Sequence, residues 1–450
     1  LMRPSFPSHY ASSLQSLGCN VQVSAPETVD SEEEELSLHA STDIPAGRLL
    51  FPNAPLASCL IFSKIQTHCQ FCFTSAASLK PPSKLSQCGS CKLARYCSRD
   101  HQVQDWAWHK RECKKLNRLS EMNPAAVTDL ILLGRAVHCV QNPVKVSELI
   151  TDGVLNPSSS DLLWLKGHDD AISRTQPQRH DENVQIHNMG VVMGLIPADF
   201  PQEHSVHLLN IFGINNFAVV DKHASPVAAA IYPFGALLNH SCRPSCVLSF
   251  RFDEKMGRCV MHCVVQAPLR AGDELTHAYC DVITPRERRH ANLMENYFFH
   301  CQCNQPEPGR EVLPNWDSLI ADALSQEKDE VEFRKLQAII ELIEAKPERF
   351  EHSSSAVAAR NYLIGLLAQY PQQALQYQPV LEAVFLRQLS TYRALYPPFH
   401  PLIGSALLSA SQHATSAQLQ RQLALEAEGV LRISHGPDHE FTEQAISLQQ

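Results

Sequence analysis

The stretch LLNHSCRPSC, residues 237–246, decides how this chain is to be read. Asn239, His240, Ser241 and Cys242 stand together directly behind a run of apolar residues. The end of a buried strand has little use for four polar side chains unless something is held there. A metal, a cofactor and a tightly hydrogen-bonded turn are the three candidates.

Working outward, the 450-residue length calls for two or three domains rather than one small core. With 44% hydrophobic and 19% charged residues, the composition is that of a folded globular protein. No window reaches the roughly 18 uninterrupted apolar residues of a membrane helix, so no membrane association is expected. The opening LMRPSFPSHYASSLQSLG lacks the basic start and apolar core of a secretion signal, which predicts a nuclear or cytoplasmic location. A net charge of −9 argues against a chain that binds nucleic acid over its whole surface. Most of the 16 cysteines fall in two regions, residues 69–113 and 242–303, with histidines among them. In a reducing compartment that mixture predicts zinc rather than disulfides.

The first of these regions is the more explicit. CQFC supplies Cys69 and Cys72, and CGSC supplies Cys88 and Cys91. YCSRDHQVQDWAWHKREC then supplies Cys97, His101, His109 and Cys113. Each of the last two pairs is spaced by four, which puts both ligands on one face of a helix. Eight such donors are enough for two closed tetrahedral zinc sites, structural because no position is left for water. Basic residues such as Lys92, Arg95, Lys110 and Arg111 outnumber Asp100, Asp105 and Glu112 there. That surface either simply solvates the finger or touches nucleic acid or an acidic partner. Trp106 and Trp108 are expected to pack within the finger.

Along the rest of the chain, residues 21–63 carry short apolar runs broken by the turn signals IPAG and FPNAP. Helix-compatible segments such as AAVTDLILLGRAVHCV follow between residues 116 and 210. NFAVVD, SCVLSFRF and RCVMHCVVQAPL return to strand character. From about residue 315, segments such as FRKLQAIIELIEAK and YQPVLEAVFLRQLSTYRALY show three- and four-residue apolar spacing throughout. They predict stacked helical hairpins.

The cysteine-rich segment resembles a MYND zinc finger, a module that mostly binds proteins. By that resemblance the sites interleave, with Cys69, Cys72, Cys97 and His101 on one zinc and Cys88, Cys91, His109 and Cys113 on the other. His101 stands where the family usually has cysteine. NHSCRPSC in turn resembles the signature of the SET domain, and GDELTHAYCD resembles its segment ending in the catalytic tyrosine. INNFAVVD before the signature and TPRERRHANLMENYFFHCQC after it fit the same order. Taken together the layout is similar to the SET-and-MYND (SMYD) lysine methyltransferases from about residue 21 to 445.

The resemblance implies an α+β multidomain fold. The N-terminal part of a SET domain would cover 21–63, a MYND finger 64–115 and a helical insert 116–210. The SET core would resume at 211–285, with a post-SET region at 286–310 and a TPR-like α-helical domain at 311–450. It further implies methyl transfer from S-adenosylmethionine to a lysine of a histone or other protein. Tyr279 would be catalytic. Asn215, Asn239, His240, Tyr297 and Phe299 would bind the cofactor, and Tyr232 would line the lysine channel or simply belong to the core. Cys242, Cys301 and Cys303 would hold a third zinc.

Three positions depart from the family pattern. The glycine-rich cofactor turn is replaced by Glu35-Leu36-Ser37, where no residue has glycine's freedom for close backbone approach. Pro306 occupies the place of a third post-SET cysteine, and Ser245 that of the signature's final asparagine. An alternative reading follows, a catalytically inactive SET/MYND scaffold that binds partners through its finger and helices.

Overall fold

A computed structural model describes residues 20–24, 36–79, 84–142, 150–151, 154–158, 161–162, 165–221, 225–302, 356–358, 360–361, 363–364 and 378–450. The chain opens with β1 (Val21–Ser24) antiparallel to β2 (Ser37–Ala40), followed by β3 (Leu49–Asn53) and β4 (Ala57–Leu60). In the finger, β5 (Ser86–Gln87) pairs with β6 (Arg95–Tyr96) ahead of α1 (Arg99–Glu112). An insert runs through α2 (Leu116–Leu119), α3 (Pro124–Gln141), β7 (Ile150–Thr151), β8 (Val154–Leu155), α4 (Asp169–Thr175), α5 (Pro177–Val192) and α6 (Gln202–Asn215). Strands then resume as β9 (Asn216–Val220), β10 (Pro226–Ile231), β11 (Asn239–His240), β12 (Cys246–Asp253), β13 (Arg258–Val265) and β14 (Thr276–His277). Helix α7 (Arg286–Tyr297) follows, and α8 (Gln378–Leu395), α9 (Pro401–Gln412), α10 (Ala417–Ser434) and α11 (Glu440–Ser447) close the chain.

Strand pairing shows why the finger and insert are interruptions of one β core. β10 lies between β9 and β4, with Ala228 opposite Leu60. The five-stranded sheet runs β12-β13-β3-β8-β7, so β13 borders a strand some two hundred residues earlier. Neither half could bury its strands' inner faces without the other. On β12, Leu248, Phe250 and Phe252 pack onto this core, while Ser249 and Arg251 take the opposite face by strand alternation.

The finger is fastened to the insert by a buried ion pair. Arg135 of α3 donates from Nε and Nη2 to both carboxylate oxygens of Glu112 in α1, at 2.7 and 2.9 Å. Its Nη1 reaches the Ser58 carbonyl of β4 at 2.6 Å. Trp108 does not pack within the finger as its sequence context predicts. Its ring lies 5.5 Å from the Arg135 guanidinium and edge-on to His138, so it joins the finger to α3. Trp106 is 51% exposed. Gly257, in the β12–β13 turn at φ 60°, marks where the finger presses on the β core. A Cβ there would come within 2.7 Å of the Phe71 ring.

A second apolar core unites the C-terminal helices with the segment after β14, including Val282, Ile283 and Leu293 of α7. Tyr396 donates its hydroxyl to Asp281 at 2.6 Å, tying the end of α8 to the loop behind Tyr279. Most of the predicted helical segments of residues 311–377, FRKLQAIIELIEAK among them, lie outside the described residues.

Candidate functional site

The finger's eight donors converge as two sets of four. Cys69, Cys72, Cys97 and His101 form one, Cys88, Cys91, His109 and Cys113 the other, with the ligand atoms of each set within 4.8 Å of one another. A tetrahedral zinc with Zn–S of about 2.3 Å has S···S edges near 3.8 Å. The Cys72–Cys97, Cys69–Cys97 and Cys88–Cys113 separations are 3.7, 3.7 and 3.8 Å. Both sets therefore fit structural zinc. Helix α1 carries His101 and His109 and ends on Cys113, while Cys97 stands just before its Ser98 N-cap, so the Cys97–His101 pair spans the helix start rather than lying on one helical face as its spacing predicts.

His101 is placed where it can take the part of a cysteine ligand. Its Nδ1 faces Cys97 at 2.9 Å and Cys69 at 3.7 Å, while Nε2 donates to Glu254 at 3.3 Å. A metal-binding histidine needs such a partner for its other nitrogen, to fix the tautomer and aim the lone pair. Glu254 comes from the β12–β13 turn, so the β core completes the finger's first zinc site.

The signature residues of the opening stretch are placed by a short parallel pairing. β11 runs beside β14, with Asn239 opposite Thr276 and His240 opposite His277. This brings the His240 ring to 5.3 Å from that of Tyr279. Tyr297 stacks at 4.8 Å from Tyr279, and Phe299 lies 5.8 Å from His240. Phe298 leaves α7 in left-handed backbone, φ 62°, and stacks on His168, which turns Phe299 back toward Tyr279. The result is an aromatic cradle suited to a cation, since ring faces attract positive charge within about 6 Å.

Hydrogen bonds orient the cradle's members. The Tyr279 hydroxyl donates to the Leu238 carbonyl at 2.9 Å. Burial keeps the Tyr297 phenol above its ordinary range, so it stays neutral. Burial, helped by His240 nearby, pushes His277 down to about 3. Asn239 donates its amide to Glu274 at 2.8 Å, and Asn215 donates to the Lys166 and Ile211 carbonyls at the end of α6. Tyr232 is fully buried with its hydroxyl on the Cys259 carbonyl, a core residue rather than a channel wall.

Beside the cradle lies a third group of donors, His240, Cys242 and Cys301. The two sulfurs are 4.0 Å apart, and His240 Nε2 is 3.3 Å from Cys242. His240 Nδ1 accepts the Tyr279 N–H at 2.9 Å. The neutral ring therefore carries its proton on Nε2 and donates it to the Cys242 sulfur. In this orientation His240 supports a metal-bound thiolate instead of ligating through a lone pair. Cys280, which the sequence pattern did not single out, also lies within hydrogen-bonding reach of Cys242. That bond, with the Arg289 guanidinium nearby, holds its thiol below the usual range despite burial. Cys303 and Pro306 are outside the described residues, as is Glu35 of the expected cofactor turn.

Comparison with known proteins now bears on this arrangement. The MYND finger family model matches residues 69–113. Human "Histone-lysine N-methyltransferase SMYD1" is 24% identical, over 94% of this chain and 88% of its own. Human "Histone-lysine N-methyltransferase SMYD3" is 26% identical, over 91% of this chain and 94% of its own. Human "N-lysine methyltransferase SMYD2" is 23% identical, over 90% and 93%.

Residues 69–113 match the MYND finger, and over about nine-tenths of its length the chain is similar to SMYD lysine methyltransferases. The finger at 69–113 and the β core that it interrupts agree with that similarity. Glu254, Glu274 and Cys280 are the site residues that sequence reading missed. Glu254 lies 153 positions from His101, and no local spacing signals such a pair. Cys280 did carry a signal, as a cysteine adjoining Tyr279 within the second cysteine-rich region.

Proposed function

We propose that this chain transfers a methyl group from S-adenosylmethionine to a lysine of a histone or other protein. The observation that carries the reading is the β11–β14 pairing, which sets Tyr279 among His240, Tyr297 and Phe299 with its hydroxyl anchored on Leu238. Bound there, S-adenosylmethionine would supply a methyl group activated by its sulfonium charge. The aromatic walls Tyr297 and Phe299 suit that cation, and β11 offers main-chain groups beside them.

A free lysine has a pKa of about 10.4 and must lose its proton before its nitrogen can attack. A dry aromatic channel favours the neutral amine by penalising the ammonium form. Tyr279 contributes a fixed, uncharged hydroxyl that orients the reacting nitrogen, so catalysis here is chiefly positioning.

A second reading, a scaffold without turnover, draws on Asn215 and Asn239. Both spend their amide N–H groups on the protein itself. In that case the finger and C-terminal helices are the working surfaces, and proteins remain the partners.

Calorimetric titration of the zinc-loaded chain with S-adenosylmethionine separates the two. Micromolar binding that weakens in Asn239→Ala supports the enzyme. A folded, zinc-replete sample that takes up no heat from the cofactor overturns it and leaves the scaffold.

A further inference from the structure

The outer face of the five-stranded sheet meets α9, α10 and α11 across a cavity of about 430 Å³. That volume suits a small organic ligand rather than a bare ion. Its walls are largely apolar, with a polar strip formed by Ser249 and Arg251 on the sheet side and Ser405, His435, His439 and Gln444 on the helices. His262 of β13 stands directly opposite Ser249 on the same face.

Among the described residues, three buried polar atoms on this face find no hydrogen-bond partner: Ser249 Oγ, Arg251 Nε and His262 Nδ1. Ser249 is only 8% exposed, so solvent does not serve it. Arg251 donates from Nη2 to the Ile433 carbonyl at the end of α10, at 3.1 Å. Gly436, at φ 109°, permits this close approach, since a Cβ there would come 2.9 Å from Arg251 Nη1. No carboxylate pairs with the guanidinium among the described residues. Asp221, the acidic residue of the lining, spends Oδ1 on the Ser225 N–H.

Arg251 is half-buried with its Nε shut off from water, and a buried donor left unpaired on a cation is costly, as is the orphaned Ser249 hydroxyl beside it. An anion in the cavity would answer both needs at once, accepting from Arg251 Nε and the Ser249 hydroxyl. Planar bidentate recognition of carboxylate or phosphate is also what arginine does best. The histidines His435 and His439, with ring centres 4.8 Å apart, add no competing negative charge.

We propose that this cavity binds a small ligand bearing a carboxylate or phosphate, held by Arg251 and Ser249 where the C-terminal helices meet the SET sheet. Such a ligand would bridge the two halves of the protein and stiffen their joint. The site is independent of the methyl-transfer reading, because none of its residues belongs to the cradle or to a zinc set.

The full zinc-loaded chain is titrated with inorganic phosphate and, separately, with citrate, at constant ionic strength and with chloride as control. Binding is followed by heat and by melting temperature. Saturable binding of either probe, with a raised melting temperature, is the expected result, and the better probe identifies the anionic group. Ser249→Ala should weaken it about fivefold, the worth of one hydrogen bond, and Arg251→Gln should abolish it. Absence of saturable binding to both probes overturns the proposal. So does binding that both folded variants retain at full strength, since it would then belong to the basic finger.

Discussion

Tyr279 and His240 are joined through the backbone of one and the ring of the other. The Tyr279 N–H donates to His240 Nδ1 at 2.9 Å, and the same ring's Nε2 faces Cys242 at 3.3 Å. One imidazole thus connects a candidate catalytic residue to a cluster of thiols. If the proposed reaction holds, Tyr279→Phe should lower turnover on the order of 100-fold, the scale of a lost positioning contact. Cofactor affinity, read by calorimetry, should stay nearly unchanged. Full turnover in that variant would take Tyr279 out of the mechanism.

The thiol cluster makes a prediction of its own. Cys242, Cys280 and Cys301 lie together, and thiolate sulfur is the preferred donor for zinc. Cobalt substitution should show thiolate absorption from three sites per chain, and Cys242→Ser should remove the third site's share. Cys280→Ser should diminish it as well. A Cys280→Ser protein with undiminished absorption and metal content would show that Cys280 is only a neighbour.

Glu254 should matter to one zinc and not the other. It accepts from His101 Nε2, and loss of such an outer partner typically weakens metal binding 10- to 100-fold. In Glu254→Gln, chelator competition should release one finger zinc early and leave the Cys88-Cys91-His109-Cys113 site as it was. Equal loss from both sites would mean general unfolding of the finger.

Arg135 and Glu112 form a buried pair, 5% and 3% exposed. Removing one partner leaves a buried charge uncompensated, and Arg135→Ala should cost about 3–5 kcal/mol in urea unfolding. Replacing both residues by apolar side chains of similar volume should cost much less. A near-neutral Arg135→Ala would show that the finger docks through its apolar contacts alone.

Stability should fall on acidification before most carboxylates titrate. Burial pushes His262 down to about 4 and both His400 and His435 down to about 3. The unfolded chain binds those protons near pH 6.5, whereas the folded chain resists them. Their contribution is therefore present above about pH 6.5 and is lost as pH falls from there toward the folded values. The slope approaches about 1.4 kcal/mol per pH unit for each proton in excess on the unfolded chain. Urea melts at pH 7.5, 6.5 and 5.5, in phosphate-free buffer with excess zinc, measure it. A flat profile would mean that these rings take up protons without unfolding.

Much of this protein was determined by its sequence alone, for one physical reason: local geometry is set by local spacing. Two CxxC knuckles and two pairs four residues apart can converge in few ways, although Cys97 precedes the Ser98 cap rather than lying on the helix. Alternation in CVLSFRFD and the β-branched apolar run of RCVMHCVV likewise specified β12 and β13. The signature NHSC and the segment ending in Tyr279 announced a shared site without showing how they meet. Only the tertiary structure decided which partners distant residues received. Glu254 reaches His101, Arg135 closes on Glu112, and the unsatisfied atoms of Ser249 and Arg251 face a cavity with α10 across it. Those pairings depend on how the finger, the sheet and the C-terminal helices dock, and no periodicity within a single segment encodes that.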